Sequence, residues 1–126
     1  MTSPPPADIT AIVLAGGRST RFGTDKASVV IGGRPMLDRV CATLAPEVPR
    51  VVVVAASGQP LPPVSVTVEI VRDLFPGSGP LGGIVSGLAA TSTNLGFVAA
   101  SDLPLLDPSV VPLLAGLADA VDVVTF

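Results

Sequence analysis

The residues of this chain best suited to chemistry lie in one segment, Leu14-Ala15-Gly16-Gly17-Arg18-Ser19-Thr20-Arg21-Phe22-Gly23-Thr24-Asp25-Lys26, directly after an apolar run from Ile9 to Leu14. Glycines at 16, 17 and 23 allow positive φ and let backbone N–H groups point at an anion, while Arg18, Arg21 and Lys26 supply countercharge. Of the seven Lys and Arg residues, four are Arg18, Arg21, Lys26 and Arg34, so positive charge is gathered where phosphates would sit. The segment is not a Walker A loop, which needs Gly-Lys followed by Ser or Thr, because Lys26 stands between Asp25 and Ala27. A literal G-x-G-x-x-G at Gly77-Ser78-Gly79-Pro80-Leu81-Gly82 lies too far along the chain for the first strand-to-helix turn of a dinucleotide fold and is read as a chance match.

Composition narrows the remaining chemistry. The 126 residues suffice for one domain with a real core, 48% of them being hydrophobic and 13% charged. A net charge of −3 and the absence of Tyr and Trp argue against a nucleic-acid surface. There is no His and one Cys, which excludes internal disulfides, zinc fingers and histidine triads, so acid–base work falls to carboxylates, Lys or a metal. Met1 to Asp8 has neither an early basic residue nor an apolar core and reads as a disordered lead-in, not a secretory signal or anchor, and no apolar run reaches membrane-spanning length. A cytoplasmic protein that binds neither membrane nor nucleic acid is expected.

The elements that must position these residues alternate between short Val/Ile/Ala-rich runs and helical patterns, the mark of β-α-β units around a mostly parallel sheet. Strands are predicted at Ile9 to Leu14, Arg50 to Ala56, Ser65 to Val71, Leu95 to Ser101 and Val121 to Phe126. Pro35 opens a first helix with Met36, Leu37, Val40, Cys41 and Leu44 on one face, which places Cys41 in the core, and Pro46 and Pro49 stop it. A second helix starts at Pro80 with Leu81, Ile84, Val85 and Leu88 at helical spacing. The third carries Val110, Val111, Leu114 and Leu117, with Ser109 as N-cap so that Pro112 falls in the first turn. Ligands of open α/β sheets bind beyond the carboxyl ends of the strands, where the glycine-rich loop, Asp73 and Asp102 all fall.

The first loop resembles the signature L-A-G-G-x-S-x-R-x-G-x-D-K-A of molybdenum cofactor guanylyltransferases. The resemblance continues through Arg72-Asp73, Pro76-Gly77-Ser78-Gly79-Pro80-Leu81-Gly82-Gly83-Ile84 and Ala100-Ser101-Asp102-Leu103-Pro104, in order and over residues 9 to about 115. It implies a three-layer α/β/α Rossmann-like nucleotidyltransferase fold, GT-A-like, with residues 9–126 as a nucleotide-binding domain. The family's enzymes are longer, so the acceptor-binding C-terminal part is expected to be absent.

The implied reaction transfers GMP from GTP to the phosphate of molybdopterin and releases pyrophosphate. In that reading the backbone of Leu14, Ala15, Gly16 and Gly17 reads the purine, Arg18 and Arg21 contact phosphate, and Lys26 neutralises charge on the leaving group. Asp25 would orient Lys26 or cap local N–H groups, Asp73 would contact the nucleoside, and Asp102 would hold Mg²⁺, a hard cation satisfied by one or two protein carboxylates. Gly79, Gly82 and Gly83 would bring the second helix's N-terminus to the ligand. Lys26, Asp102 and Arg21 are the expected catalytic residues, and molybdoenzymes or other cofactor-biosynthesis proteins the expected partners. Gly16 favours guanine, since related cytidylyltransferases resemble Leu-Ala-Ala-Gly there. The chain departs from the family in offering Ala55-Ala56-Ser57 where an Asn usually meets the nucleotide. Cytidylyl transfer, transfer to a sugar phosphate, and a non-catalytic nucleotide-binding module are the alternatives to guanylyl transfer.

Overall fold

A computed structural model of the chain describes residues 9–16, 18–19, 24–102 and 106–117. Four parallel strands form the central sheet: β1 (Ile9–Leu14), β6 (Arg50–Ala55), β7 (Glu69–Arg72) and β8 (Leu95–Ala100), in the spatial order β7-β6-β1-β8. The chain thus starts in the middle, builds outward through β6 to β7, and crosses back to place β8 on the other side of β1. Two short hairpins lie between β1 and the first helix: β2 (Arg18–Ser19) with β3 (Thr24–Asp25), and β4 (Val30–Ile31) with β5 (Arg34–Pro35). Gly32 and Gly33 turn the second hairpin with φ of 61° and 82°, the pair of positive values that a two-residue hairpin loop of matching twist requires.

Strands β1 and β6 are buried on both faces, as their continuous apolar composition demands. On one face Ile9, Ala11, Val13, Val51 and Val53 pack against Leu37, Val40, Cys41 and Leu44 of α1 (Met36–Leu44) and Val111 and Ala115 of α3 (Val110–Leu117). Burial in this layer pushes the Cys41 thiol up to about 12, so it packs as a small hydrophobe, as the helical spacing predicts. On the other face Ile12, Val52 and Val54 form a second core with Leu14 and Val71 under α2 (Gly79–Ala89). The result is a three-layer α/β/α sandwich. Among the described residues no helix is long and apolar enough to cross a membrane.

The sequence reading is corrected in three places. The apolar stripe of α2 points outward: Leu81, Val85 and Leu88 are 66%, 42% and 48% exposed, while Gly82, Gly83, Ser86 and Gly87 are buried against the rest of the fold. The reason is distance. A Cβ on Gly87 would lie 2.4 Å from Ile12 Cγ2, and one on Gly83 3.2 Å from Leu14 Cδ2, so only a side-chain-free face lets the helix sit this close.

The third strand is also shorter than its β-branched run, Ser65 to Val71, suggests. Only Glu69–Arg72 joins the ladder, because the buried carboxylate of Asp38 on α1 captures Ser65 through its N–H (2.7 Å) and hydroxyl (2.8 Å). Val66 and Val68 pack on the α1 side of the core instead. At α3, Ser109 does precede the helix and Pro112 does fall in its first turn, but the Ser109 hydroxyl donates to Asp107 Oδ1 (2.8 Å) and does not cap a helical N–H. The expected lead-in, residues 1–8, and the expected strand Val121 to Phe126 lie outside the described residues.

Asp38 is only 6% exposed and also accepts the Arg34 Nε–H at 2.8 Å, so its hydrogen bonds to Arg34 and Ser65 lower its carboxyl from 3.8 to about 2. A carboxyl held below its unfolded value binds fewer protons when folded; its stabilisation is complete above about pH 4 and is lost as pH falls toward 2. The urea midpoint of Asp38→Asn is therefore expected to lie below that of the unaltered chain at pH 5, with the gap closing between pH 4 and pH 2; a gap constant with pH would refute the assignment. For Gly87→Ala, overpacking of about 1–3 kcal/mol outweighs the gain of about 1 kcal/mol in helix propensity, so urea unfolding should show a net loss of stability. A raised midpoint would show that α2 can ride outward at no cost.

Candidate functional site

The pairing register decides what meets at the carboxyl end of the sheet. Leu14 is level with Val54 on one side and Ala100 on the other, and Val54 with Val71. Hydrogen bonds carry the ladder one step further: Ala15 N–H donates to the Val54 carbonyl (2.8 Å), Ser101 N–H to Leu14 (3.1 Å) and Asp73 N–H to Ala55 (2.8 Å). The next residue of each strand therefore falls in one row, Asp102, Gly16, Ala56, Asp73. Because strand side chains alternate, this row shares the α2 face with Leu14 and Val54. The strands that carry the two carboxylates lie three spacings apart, about 14 Å between backbones.

A cavity of about 550 Å³ occupies this end of the α2 face, within the size range of small-molecule sites. Leu14, Val54 and Ala100 line its floor, Gly16, Ala56 and Ser57 the strand tips, and Gly77, Gly79, Pro80 and Gly83 the wall formed by the start of α2. Asp73 and Asp102 are the charged residues among its described lining. Two carboxylates alone would repel a polyanion, so a phosphate ligand requires cations here, from the protein or from a metal.

Asp73 combines two roles that the sequence leaves as alternatives. Its Oδ1 accepts the Phe75 N–H at 2.8 Å, an Asx turn, and it also lines the cavity. Ser86 braces the turn from α2: its Oγ accepts the Leu74 N–H (2.8 Å), donates to the Gly82 carbonyl (2.8 Å) and lies 3.3 Å from Asp73 Oδ1. Gly82 serves this contact and does not line the cavity, since a Cβ there would sit 2.8 Å from the Phe75 carbonyl oxygen. Gly77 and Gly79, at φ of 85° and 62°, make the entry into α2 that lines the cavity. The G-x-G-x-x-G segment thus opens a helix beside the site, although it follows the edge strand β7 and not the first strand.

Around the first loop, Leu14 is on the floor and Gly16 is exposed to the cavity. Gly16 has no positive φ; its lack of a side chain lets the strand tips lie close, since a Cβ would come a tight 3.3 Å from the Ala56 nitrogen. Ala15 is fully buried beneath, and its N–H and carbonyl are both engaged within the protein. Arg18 pairs with Asp25 and Ser19 with Thr24 in the β2-β3 hairpin, and Lys26 begins a single 3₁₀ turn over Lys26–Ser28. The pairing brings Asp25 back to the level of Arg18, and Lys26 follows directly after it. Gly17, Arg21 and Gly23 lie outside the described residues.

Asp102 is half-buried in the turn after β8, on the cavity wall. Among the described residues no group of three or more metal-ligating side chains exists. That donor set suits a cation that takes one protein carboxylate and completes its shell with phosphate and water, as Mg²⁺ does, and does not suit a resident zinc site. Sequence reasoning missed Ser57 among the lining residues and missed Gln59, whose side chain bonds the tips of β1 and β6; in the sequence it is one polar residue in a proline-rich loop with no pattern to mark it.

Comparison with known proteins agrees with this geometry. A probable molybdenum cofactor guanylyltransferase of Chloroflexus aggregans is 39% identical over 110 residues, covering 85% of this chain and 52% of its own length. The crystal structure of molybdopterin-guanine dinucleotide biosynthesis protein A from Archaeoglobus fulgidus superposes with a TM-score of 0.62 at 26% identity, covering 83% of this chain and 53% of that one. The 2-C-methyl-D-erythritol 4-phosphate cytidylyltransferase of Thermus thermophilus, 20% identical, shares the fold at a TM-score of 0.68, over 90% of this chain and 48% of its own. The chain thus spans about half the length of the curated relatives it matches. With residues 11–126 matching the family model and the cavity formed by its signature segments, the chain belongs to the MobA-like NTP transferase domain family.

Proposed function

We propose that residues 9–126 form the nucleotide-binding domain of a cytoplasmic guanylyltransferase that passes GMP from GTP to the phosphate of molybdopterin, releasing pyrophosphate and forming molybdopterin guanine dinucleotide. The observation that carries this reading is the single row Asp102, Gly16, Ala56, Asp73 above an apolar floor, at the end of the sheet where the glycine-rich basic segment begins. The names of the relatives, probable molybdenum cofactor guanylyltransferases, supply the reaction and the nucleotide. Substrates are thus GTP and molybdopterin, and the product's recipients are molybdoenzymes or other cofactor-biosynthesis proteins. Neither nucleic acid nor membrane takes part.

In this reading the purine lies over Gly16 and Ala56, with Asp73 toward the nucleoside and the triphosphate running toward Asp102. Gly16 supports guanine over cytosine, because an alanine there would press on the Ala56 backbone and close the crevice between the two strand tips. Arg18, Arg21 and Lys26 neutralise the phosphates, and Lys26 stabilises the charge that grows on pyrophosphate as it leaves. Asp102 would hold Mg²⁺, which when bound supplies charge neutralisation and orientation at the triphosphate. The acceptor phosphate is ionised at neutral pH and attacks the α-phosphorus in line, so the chain's lack of His is no obstacle. Positioning and electrostatic stabilisation then provide the acceleration.

Calorimetric titration with GTP and with CTP, each with Mg²⁺, tests the reading. GTP is expected to bind at least about tenfold more tightly than CTP, and Asp102→Ala to weaken GTP by about tenfold or more in Mg²⁺, equivalent to about 1.4 kcal/mol. Preference for CTP would transfer the assignment to cytidylyl transfer, and GTP affinity indifferent to Asp102→Ala would remove Asp102 from the metal role.

A further inference from the structure

We infer that Gln59 is a positioning residue for the nucleobase end of the site: its side-chain amide extends the sheet by one rung and thereby sets the crevice between Gly16 and Ala56. This deepens the proposed nucleotide-binding function and rests on it. After β6 the chain turns tightly through Gly58 (φ 75°), and the Gln59 N–H donates to the Ala56 carbonyl at 3.1 Å. The turn folds the Gln59 side chain back over the strand it has just left. There Oε1 accepts the Ala56 N–H at 2.9 Å and Nε2 donates to the Ala15 carbonyl on the neighbouring strand at 2.7 Å.

A carboxamide carries a donor and an acceptor in the plane of one amide group, as a peptide does. Gln59 therefore bonds the tips of β6 and β1 at the place where the parallel ladder runs out. Arg72 fixes the clamp itself, donating from Nη1 to the Ala56 carbonyl (3.0 Å) and the Gln59 carbonyl (2.8 Å).

The clamp has a chemical consequence. The Ala56 N–H and carbonyl, and the Ala15 N–H and carbonyl, are all occupied by protein partners. Each of these four groups already has a protein partner, so reading of the base falls chiefly to Gly16, held against Ala56 at a separation that Gln59 sets. Gln59 does this where Ala55-Ala56-Ser57 provides no side-chain amide at the end of β6.

The test compares the unaltered chain with Gln59→Leu, which loses both side-chain bonds, and Gln59→Glu, which keeps the acceptor for Ala56 but loses the donor to Ala15. Each is titrated with Mg²⁺-GTP and with Mg²⁺-pyrophosphate, the second probing the phosphate end alone, and urea unfolding follows each fold. Both variants are expected to bind GTP about tenfold more weakly while pyrophosphate affinity stays within about twofold. Should Gln59→Leu fail to fold, Gln59→Glu carries the same comparison. Equal GTP affinity in the variants, or parallel loss of GTP and pyrophosphate, overturns the inference alone. Failure of the unaltered chain to bind GTP overturns the functional reading, and this inference with it.

Discussion

Everything at the carboxyl end of the sheet depends on the register of four parallel strands. Parallel pairing fixes the level of each residue against its neighbours, and a slip of one residue would turn the side chains of that strand to the other face. Here the shared level of Ala100, Leu14, Val54 and Val71 brings Asp102, Gly16, Ala56 and Asp73, each two residues further on, together at the carboxyl end. Four residues spread over 87 positions of sequence (16 to 102) thus meet without any loop excursion. The register is held by apolar burial below, where Ile12, Val13, Val52 and Val53 are fully buried, so the same contacts build the core and the site.

The second constraint is how close α2 comes to that sheet. Gly83 and Gly87 remove the side chains that would otherwise meet Leu14, Val54 and Ile12, and the helix settles near enough for its N-terminal turn to form the cavity wall. A helix start offers N–H groups and a positive dipole end to an anion, but only if it is within reach. The cost is an outward stripe of Leu81, Val85 and Leu88. Ser86, also on the inner face, ties α2 to the turn of Asp73, so the helix that forms the wall also positions the carboxylate.

Much of this is legible in the sequence. Continuous apolar runs mark β1, β6 and β8, helical spacing with Pro35 marks α1, and the glycine-rich basic segment marks the site. What fails does so for physical reasons. Apolar spacing identifies an inward face only when the inner residues have side chains, and in α2 the buried face is Gly82, Gly83 and Gly87, which carry no hydrophobic signal. A strand from Ser65 follows from β-branched residues, but Asp38, 27 positions earlier, decides where it pairs, and no local pattern encodes that contact. Gln59 is silent for the same reason: its partner Ala15 lies 44 positions away, so its role exists only once the sheet has formed.

The distribution of cations completes the account of the site. Four basic residues are committed to the architecture: Arg34 to Asp38, Arg39 to the Gly32 carbonyl, Arg50 to Glu69, and Arg72 to the carbonyls of Ala56 and Gln59. The other three of the seven are Arg18, Arg21 and Lys26, all in the glycine-rich segment. The cavity's own described charges are two carboxylates, which disfavour a polyanion by themselves. In the proposed function a triphosphate would be held by bringing those three cations, and a divalent metal on Asp102, against it. The chain separates its cations accordingly: four hold the strands and loops in place, and the other three belong to the glycine-rich segment that follows β1, where the proposed reaction would need charge neutralised.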